Sequence, residues 1–243
     1  MFYFDSFQGK KVLKSSFLEG VDHFFTTREF PLSFGSREDL KQETIINRQK
    51  LIEGLKIKSL KTAKQTHSDH IRIVGEEDFY DDTDALISNI PSSALILNFA
   101  DCTPIILYSF KDNVGACIHA GWRGTEKQIL RKTAEKMINE LNIKPQNITA
   151  VIGPAISLEC FEVSEEVFDR LIIDKSAKNT YKIDGDKFFV DLKQLNKIQL
   201  QNSGIEKIDV TNYCTSCLSD IFFSYRKEKG NTARHSSVLK IRG

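Results

Sequence analysis

Three residues that can bind transition metals stand beside apolar, strand-like segments of this sequence. His67 lies in KQTHSDH, Cys102 lies in ADCTP, and His119 lies in CIHAGWRGT. Two imidazoles and one thiolate suit zinc, and a catalytic zinc keeps its fourth position open for water or substrate. Because the ends of strands meet at the rim of a compact domain, we predict that these side chains form a zinc site, in which copper can substitute.

The same residues support a second interpretation that needs no metal. Cys102 would be a nucleophile, His119 its general base, and Asp101 a group that orients the base or supplies a proton. Such a site would hydrolyse an amide, for example in a peptidoglycan precursor. His70 is a rival of His67, although on a strand the two side chains would point to opposite faces. Ligand chemistry alone leaves these alternatives open.

Three arginines follow apolar segments of the chain. Arg28 ends FFTTR, Arg123 lies in GWRG, and Arg226 ends FFSYR. Guanidinium groups match phosphate oxygens, and open turns offer backbone N–H groups to anions, so we predict an anion-binding role for these residues. The sequence has no Walker A, G-x-G-x-x-G or G-x-S-x-G pattern, which disfavours a nucleoside triphosphatase, a Rossmann dehydrogenase and an α/β-hydrolase.

Cys214 and Cys217 form a C-T-S-C motif near the end of the chain. A single C-x-x-C is half of a zinc site or a redox pair. Because no second half is visible in the sequence, we interpret the two residues as ordinary thiols at the start of a strand.

The composition is that of an ordinary globular protein. The 243 residues are 40% hydrophobic and 28% charged, and the net charge of +1 argues against a nucleic-acid or membrane-surface partner. Asp5 and Gln8 interrupt the apolar start of the chain, so we expect no signal peptide. Because five cysteines are an odd number, reduced thiols and a cytoplasmic location are the expectation.

The elements that must position these residues follow from hydrophobic periodicity. Helices are predicted over 38–55, over 125–141 with Thr125 as N-cap, from Ser164 onward, and over 191–204 with Gly204 at its end. Strands are predicted at 11–17, 21–27, 59–65, 70–74, 84–88, 94–99, 104–109, 114–119, 148–153, 206–211, 220–225 and 235–241. Strands dominate the middle of the chain and helices flank them, which is typical of the α+β class.

Taken together, these motifs resemble those of the laccase-domain or polyphenol oxidase family. KQTHSDH is similar to the first ligand motif of that family, DALIS with ADCTPIILY to the second, and HAGWRGT to the third. IGPAISLECFEV, and YCTSC with FFSYR, are similar to two further family segments. The resemblance runs from about residue 20 to the end of the chain.

The resemblance implies a fold and a function. It implies a four-layer αββα sandwich with mixed β-sheets, in which residues 1–243 form a single domain. The family's better-supported activities are those of purine nucleoside phosphorylase and adenosine deaminase. We therefore expect a zinc enzyme that phosphorolyses adenosine, inosine and methylthioadenosine and deaminates adenosine. Its partners would be a nucleoside and phosphate, and it would be a monomer or homodimer.

The resemblance also suggests roles for single residues. The family's zinc triad falls on the three ligands chosen above. Arg123, close in sequence to His119, is the first candidate for a catalytic phosphate holder. Asp101 would carry a proton or orient a ligand, whereas Gln65 and Ser68 would bond the ribose or the water at the metal. Phosphate-binding roles are expected for Arg28 and Arg226.

The sequence departs from the family pattern in two places. After FFTTR the family usually continues into a glycine-rich turn, whereas this chain reads EFPLSFGS, which leaves the anion-binding role of Arg28 open. Near the end, the family's T-G-R is Thr232-Ala233-Arg234 here. A multicopper site needs about ten histidines, many in H-x-H pairs, but this sequence has five and no H-x-H. A single-copper oxidoreductase is the copper alternative that remains.

Overall fold

Apolar runs in the middle of the chain form the central strands of two large sheets. The computed structural model describes residues 1–173 and 177–243. Every residue of the strands Thr103–Ser109 and Val114–Ala120 is buried. Strands that are buried on both faces need a cover on each side, so sheets with such strands lie inside a layered structure.

The described residues form sixteen strands and five α-helices. The strands are β1 (Phe2–Phe7), β2 (Lys10–Ser15), β3 (His23–Thr26), β4 (Ser59–Ala63), β5 (Ile71–Ile73), β6 (Phe79–Tyr80), β7 (Ala85–Ser88), β8 (Ser93–Phe99), β9 (Thr103–Ser109), β10 (Val114–Ala120), β11 (Ile148–Ile152), β12 (Glu162–Val163), β13 (Tyr181–Asp184), β14 (Lys187–Val190), β15 (Lys207–Val210) and β16 (His235–Lys240). The helices are α1 (Lys41–Leu55), α2 (Trp122–Glu126), α3 (Ile129–Glu140), α4 (Glu165–Leu171) and α5 (Leu192–Asn202).

The strands form three sheets among the described residues. The seven-stranded sheet has the order β1-β2-β3-β16-β8-β4-β6, and the six-stranded sheet has the order β15-β11-β9-β10-β7-β5. A small third sheet has the order β12-β14-β13. Both large sheets are mixed, because β4 runs parallel to β8 and β6, β15 parallel to β11, and β5 parallel to β7, among otherwise antiparallel pairs.

Alternating residues of the central strands divide the protein into four layers. Ile106 and Tyr108 of β9 face the seven-stranded sheet, where Phe25 and Leu97 pack against them. The neighbours of Ile106 on the strand, such as Leu107, pack instead against α3 and α5 on the outer face. On the other side of the protein, α1 covers the outer face of the seven-stranded sheet. The predicted α+β fold, a four-layer αββα sandwich with mixed sheets, is confirmed.

Several predicted helix ends agree with the structure. Helix α4 begins at its N-cap Ser164, as predicted, and the Ser164 side chain caps it by accepting a hydrogen bond from the backbone N–H of Val167. Gly204 follows α5 with a positive φ of 76°. The predicted helix over 125–141 is instead broken into α2 and α3 by Gln128, which has a φ of 60°. Thr125 lies inside α2, whose N-cap is Gly121, so the predicted cap was wrong.

Other differences concern strands. Residues 220–225, predicted as a strand, form turns in which the N–H groups of Ile221 and Phe222 donate to the carbonyl of Leu218. Phe222 is nevertheless fully buried, so the apolar pattern of this segment indicated that its residues are buried and did not indicate an extended backbone. The sequence interpretation also missed β1 and the β13–β14 hairpin, whose residues are mostly exposed and lack an apolar pattern. No helix among the described residues has the length and apolarity to cross a membrane. That residues 1–243 are one domain stays a prediction.

Candidate active site

The three predicted metal ligands come together although they are far apart in sequence. His67 lies in the loop between β4 and β5, Cys102 in the turn between β8 and β9, and His119 near the end of β10. The antiparallel register pairs His119 with Pro104, which brings β10 next to the turn that carries Cys102. The ligand atoms of all three residues lie within 4.8 Å of one another. A tetrahedral zinc needs donors roughly 3–4 Å apart, so the donor set fits this ion.

Gly121 allows the ligands to approach one another. A Cβ atom at this position would stand 3.0 Å from Sγ of Cys102 and 3.1 Å from Cδ2 of His67. Its φ of −70° is open to any residue, so close contact and not backbone conformation requires the glycine. The first glycine of the HAGWRG motif therefore leaves room for two of the three ligands.

A buried carboxylate, Asp84, ties the ligand loops together. Nδ1 of His119 donates to Oδ1 of Asp84 at 2.7 Å, and the backbone N–H of His67 donates to the same oxygen at 3.2 Å. The backbone N–H and the hydroxyl of Ser68 both donate to Oδ2 at 2.7 Å. Because Nδ1 of His119 is occupied, Nε2 is the ring atom left for a metal, and such a carboxylate fixes the tautomer and orientation of a histidine ligand.

Asp84 is ionised in this environment. Burial raises the pKa of its carboxyl, but hydrogen bonds and charge interactions with His119, together with hydrogen bonds from Ser68, hold it well below the ordinary value. The sequence interpretation did not include Asp84 among the site residues. An available signal was its position as an acidic residue directly before the apolar strand β7.

Cys102 and His119 stabilise each other's charged form. Burial raises the pKa of Cys102, but the neighbouring imidazoles of His119 and His67 lower it to about 6. Burial lowers the pKa of His119, but Cys102 and Asp84 raise it to about 9. A thiolate is both a metal ligand and a nucleophile, so this pair agrees with the zinc interpretation and with the cysteine one.

The triad lies in the wall of a cavity of about 590 Å³ that opens to the surface. This volume lies within the range of about 300–1,000 Å³ that is typical of small-molecule sites. Phe161 and Tyr225 give the cavity aromatic surface, and Asn98 and Gln65 line it with amide groups. The arrangement can bind a flat polar molecule next to the three ligand atoms.

Arginines give the cavity its charge, but they are not all the predicted ones. Arg123, Arg226 and Arg234 line the cavity, whereas Arg28 does not. The guanidinium of Arg28 donates to the Ser219 carbonyl and to Glu228 at 2.6 Å each, and it stacks on a phenylalanine ring. Arg28 therefore binds the C-terminal turns and lies outside the site. Arg234, for which the sequence suggested no role, lies at the site instead.

The two segments that depart from the family pattern contact each other beside Arg234. A Cβ atom at Gly35, which has a φ of 56°, would overlap the carbonyl oxygen of Thr232. The backbone N–H of Ser36 donates to the same carbonyl at 3.2 Å. Gly35 of EFPLSFGS therefore allows the two backbones to approach closely at this place. The residue that follows Thr232, where the family has glycine, is Ala233.

Asp101 lies at the cavity with its carboxylate fully engaged. Its Oδ1 accepts from the hydroxyl of Thr215 at 2.6 Å, and its Oδ2 accepts from the backbone N–H of Arg226 at 2.7 Å. The guanidinium of Arg226 donates to the carbonyls of Cys160 and Glu162. Of the two predicted roles for Asp101, these contacts favour positioning of neighbouring groups over proton transfer.

Gln65 and Ser68 have partners within the protein. Nε2 of Gln65 donates to the carbonyl of Asn98 at 2.7 Å, and Oε1 accepts from the backbone N–H of Asn98 at 2.8 Å. The amide of Gln65 therefore pairs its loop with β8, although the residue lines the cavity. Ser68 is buried against Asp84 and is not a lining residue of the cavity. The structure gives both residues a supporting position.

The remaining histidines lie away from the triad. His70 is exposed and pairs with Asp82, so it is not a rival of His67 in this structure. His23 bonds to the backbone of Ser15 and Val21, and His235 is buried in the core. With two of five histidines at the site, the residues cannot build a cluster of several coppers.

Comparisons with known proteins show relatives that match most or nearly all of this chain. A family model described as multi-copper polyphenol oxidoreductase laccase matches residues 22–242. A purine nucleoside phosphorylase of Clostridium acetobutylicum is 33% identical over 239 residues, which is 95% of this chain and 98% of the relative. The purine nucleoside phosphorylase YlmD of Bacillus subtilis is 32% identical over 197 residues, which is 74% of this chain and 70% of the relative. The crystal structure of the YfiH protein of Bacillus licheniformis has a TM-score of 0.88 at 29% identity and covers 98% of this chain and 99% of its own. The chain therefore belongs to the family described as multi-copper polyphenol oxidoreductase laccases.

Proposed function

We propose that this protein is a zinc-dependent purine nucleoside enzyme. It would phosphorolyse adenosine, inosine and methylthioadenosine and deaminate adenosine. The observation that carries the proposal is that the triad His67, Cys102 and His119 shares one cavity with three arginines. Family members that cover nearly the whole chain are named purine nucleoside phosphorylases, which supports the same function.

Zinc fits the triad by donor chemistry. His67, Cys102 and His119 would hold the ion, and Asp84 would orient His119. Bound zinc would supply a Lewis acid that polarises an oxygen or nitrogen atom of the substrate or of a water molecule. The residues around the ion would bind the other parts of the substrate.

In phosphorolysis, an oxygen of phosphate attacks C1′ of the ribose while the bond from C1′ to the purine nitrogen breaks. The purine leaves with the electron pair of that bond and takes up a proton from water, and the sugar of the nucleoside becomes its 1-phosphate. Arg123, Arg226 and Arg234 would hold the phosphate and oppose its charge in the transition state. The guanidinium of Arg123 stacks on Trp122 at 4.2 Å, which limits its freedom before phosphate binds.

The purine would lie against aromatic surface. Phe161 and Tyr225 line the cavity, and the guanidinium of Arg226 stands 5.6 Å from the ring centroid of Phe161. A flat base gains dispersion and stacking energy on such surfaces. In deamination, water would add at C6 of the same bound base, and the amino group would leave as ammonia.

Supporting residues would keep the site in place. Asp101 would act as a positioning residue, because it accepts a hydrogen bond from the backbone N–H of Arg226 and so fixes the backbone position of that arginine. Gln65 would hold the loop that carries His67 against β8, and Ser68 would hold Asp84. These roles replace the contacts to ribose that the sequence suggests for Gln65 and Ser68.

The cysteine hydrolase stays a second candidate, because one observation favours it. The lowered pKa of Cys102 beside the raised pKa of His119 is the pattern of an activated thiol with its base. A single-copper oxidoreductase is a third candidate, since the donor set also binds copper. A cytoplasmic location and a monomeric or homodimeric state stay predictions.

The test is a chromatographic assay of metal-analysed protein with adenosine and inosine, with and without phosphate. We expect adenine or hypoxanthine to be released only with phosphate, and inosine to form from adenosine without it. His119→Ala should abolish both reactions, whereas His70→Ala, at an exposed histidine outside the site, should preserve them. No turnover by protein that carries a full equivalent of zinc would contradict the proposal. Activity that survives chelation, with labelling of Cys102 by electrophiles, would instead support the hydrolase.

A further inference from the structure

A second group of soft ligands lies beside the cavity. Cys160 joins Cys214 and Cys217 of the C-T-S-C motif, and the sulfur atoms of all three lie within 4.8 Å of one another. Sγ of Cys160 is 3.4 Å from Sγ of Cys217. The third thiol comes from the 3₁₀ turn Leu158–Cys160, far away in sequence, so the C-T-S-C motif does not stand alone as the sequence suggested.

The backbone around Cys214 is arranged to support a negatively charged sulfur. Sγ of Cys214 accepts hydrogen bonds from the N–H groups of Ser157 at 3.3 Å and Cys217 at 3.5 Å. N–H donors that point at a sulfur atom favour its thiolate form, which is the form that binds metals. The N–H of Cys217 belongs to the same four-residue turn, so the C-x-x-C motif itself supplies one donor.

The spacing of the sulfur atoms suits a metal ion. Zinc–sulfur bonds of about 2.3 Å in a tetrahedron place sulfur atoms about 3.8 Å apart. A disulfide would need Cys160 and Cys217 to close from 3.4 Å to about 2.05 Å, and it would leave Cys214 without a role. Cys217 is exposed, so an ion can reach the site from solvent and keep a water molecule as fourth ligand.

We propose that Cys160, Cys214 and Cys217 form a second metal site, a three-thiolate site for zinc or another thiophilic divalent cation. Binding would release the thiol protons to water and leave the site with one excess negative charge. Arg226 lies next to this charge, because its guanidinium donates to the carbonyl of Cys160 at 3.2 Å.

The site would join two turns, each of which is linked to a residue that lines the cavity. Thr215, between the cysteines of the motif, donates to Asp101, and Phe161 follows Cys160 directly and lines the cavity. A metal between the turns would hold Phe161 and Asp101 at a constant separation. This structural role is independent of the chemistry at the first triad.

A cadmium titration of the reduced Cys102→Ser variant tests the proposal, because this variant lacks a ligand of the first triad. We expect one Cd²⁺ per chain by equilibrium dialysis, together with the ultraviolet charge-transfer absorption of cadmium thiolates. Both signals should be lost in Cys102→Ser/Cys217→Ser. Since Cys217 is exposed, this second substitution should not disturb folding. Zinc should also raise the melting temperature of Cys102→Ser but not that of the double variant.

Cys117 provides a matched control. Its thiol is fully buried in the core between the two large sheets and belongs to neither ligand group. Cys102→Ser/Cys117→Ala should therefore bind cadmium as Cys102→Ser does. Absence of cadmium uptake by the reduced Cys102→Ser protein would overturn the proposal, as would uptake that Cys217→Ser leaves unchanged. Formation of a Cys160–Cys217 disulfide in air by a protein that takes up no metal when reduced would also overturn it.

Discussion

Asp84 and His119 share a hydrogen bond of 2.7 Å between Oδ1 and Nδ1, and both side chains are buried. The carboxylate also accepts from the backbone of His67, so one acidic residue orients one ligand and fixes the loop of another. Asp84 is fully buried and does not line the cavity, whereas His119 does.

Replacing Asp84 by asparagine should weaken metal binding without removing a ligand. The amide keeps the shape of the carboxylate but loses its charge, and the loss of such a partner typically reduces metal affinity by about 10- to 100-fold. Zinc affinity measured by competition with a chelator should fall by this factor. Asp81→Asn, at an exposed acidic residue paired with Lys64, is the control and should bind zinc normally. Equal affinities in both variants would show that Asp84 does not support the ligands.

Gly121→Ala should disturb the triad while the fold persists. The new methyl group would lie about 3 Å from Cys102 and His67, so these ligands must move apart. We expect a loss of zinc affinity of about tenfold or more, which corresponds to about 1.4 kcal/mol. Gly75→Ala, where the nearest atom is the flexible end of Glu77, is the matched control. Unchanged zinc affinity in Gly121→Ala would contradict the account of this glycine.

The arginines should separate into those that bind phosphate and one that stabilises the fold. Arg234→Gln should raise the KM for phosphate by about ten- to a hundredfold, since a hydrogen bond to a charged group contributes about 1.5–3 kcal/mol. Arg28→Gln should leave this KM unchanged, because Arg28 is bound to Glu228 and to backbone carbonyls outside the cavity. It should instead lower the free energy of unfolding by about 1–3 kcal/mol. Steady-state kinetics measures the KM values, and denaturant unfolding measures the stabilities. A raised KM for phosphate in Arg28→Gln, with an unchanged KM in Arg234→Gln, would show that the roles of the two arginines are wrongly assigned.

His235 should make the protein sensitive to acid. Burial above all, together with the positive charges of Arg234 and Arg28, lowers its pKa from 6.5 to about 3. Below about pH 6.5, His235 is protonated in the unfolded chain but stays neutral in the folded protein. The free energy of unfolding therefore falls as the pH drops below this value.

The acid sensitivity can be measured by urea unfolding of metal-free protein at pH 7 and 5.5. The loss of stability between these values should be about 1 kcal/mol smaller in His235→Gln than in the unsubstituted protein. His23, which is also buried and has a lowered pKa, contributes equally to both proteins. His70→Gln, at an exposed histidine, is the control and should lose as much stability between the two pH values as the unsubstituted protein. An equally large loss in His235→Gln would show that the fold does not lower the pKa of His235.

The sequence by itself determined the features that depend on chain neighbours. Buried strands such as β9 and β10 are visible as apolar runs, and Ser164 caps its helix through the N–H three residues later. The ligand types of the triad are likewise chemical properties of single residues. Such features are local, because backbone conformation and donor chemistry respond to the nearest few residues.

Only the tertiary structure decided which distant residues meet. It placed Arg234 at the cavity and Arg28 outside it, although both follow or precede apolar runs. It brought Cys160 to the C-T-S-C motif and Asp84 beneath His119. These encounters depend on strand order, register and the paths of loops, and no local pattern in the chain records them. The energy of packing two large sheets and their helices selects one arrangement, and the site is a consequence of it.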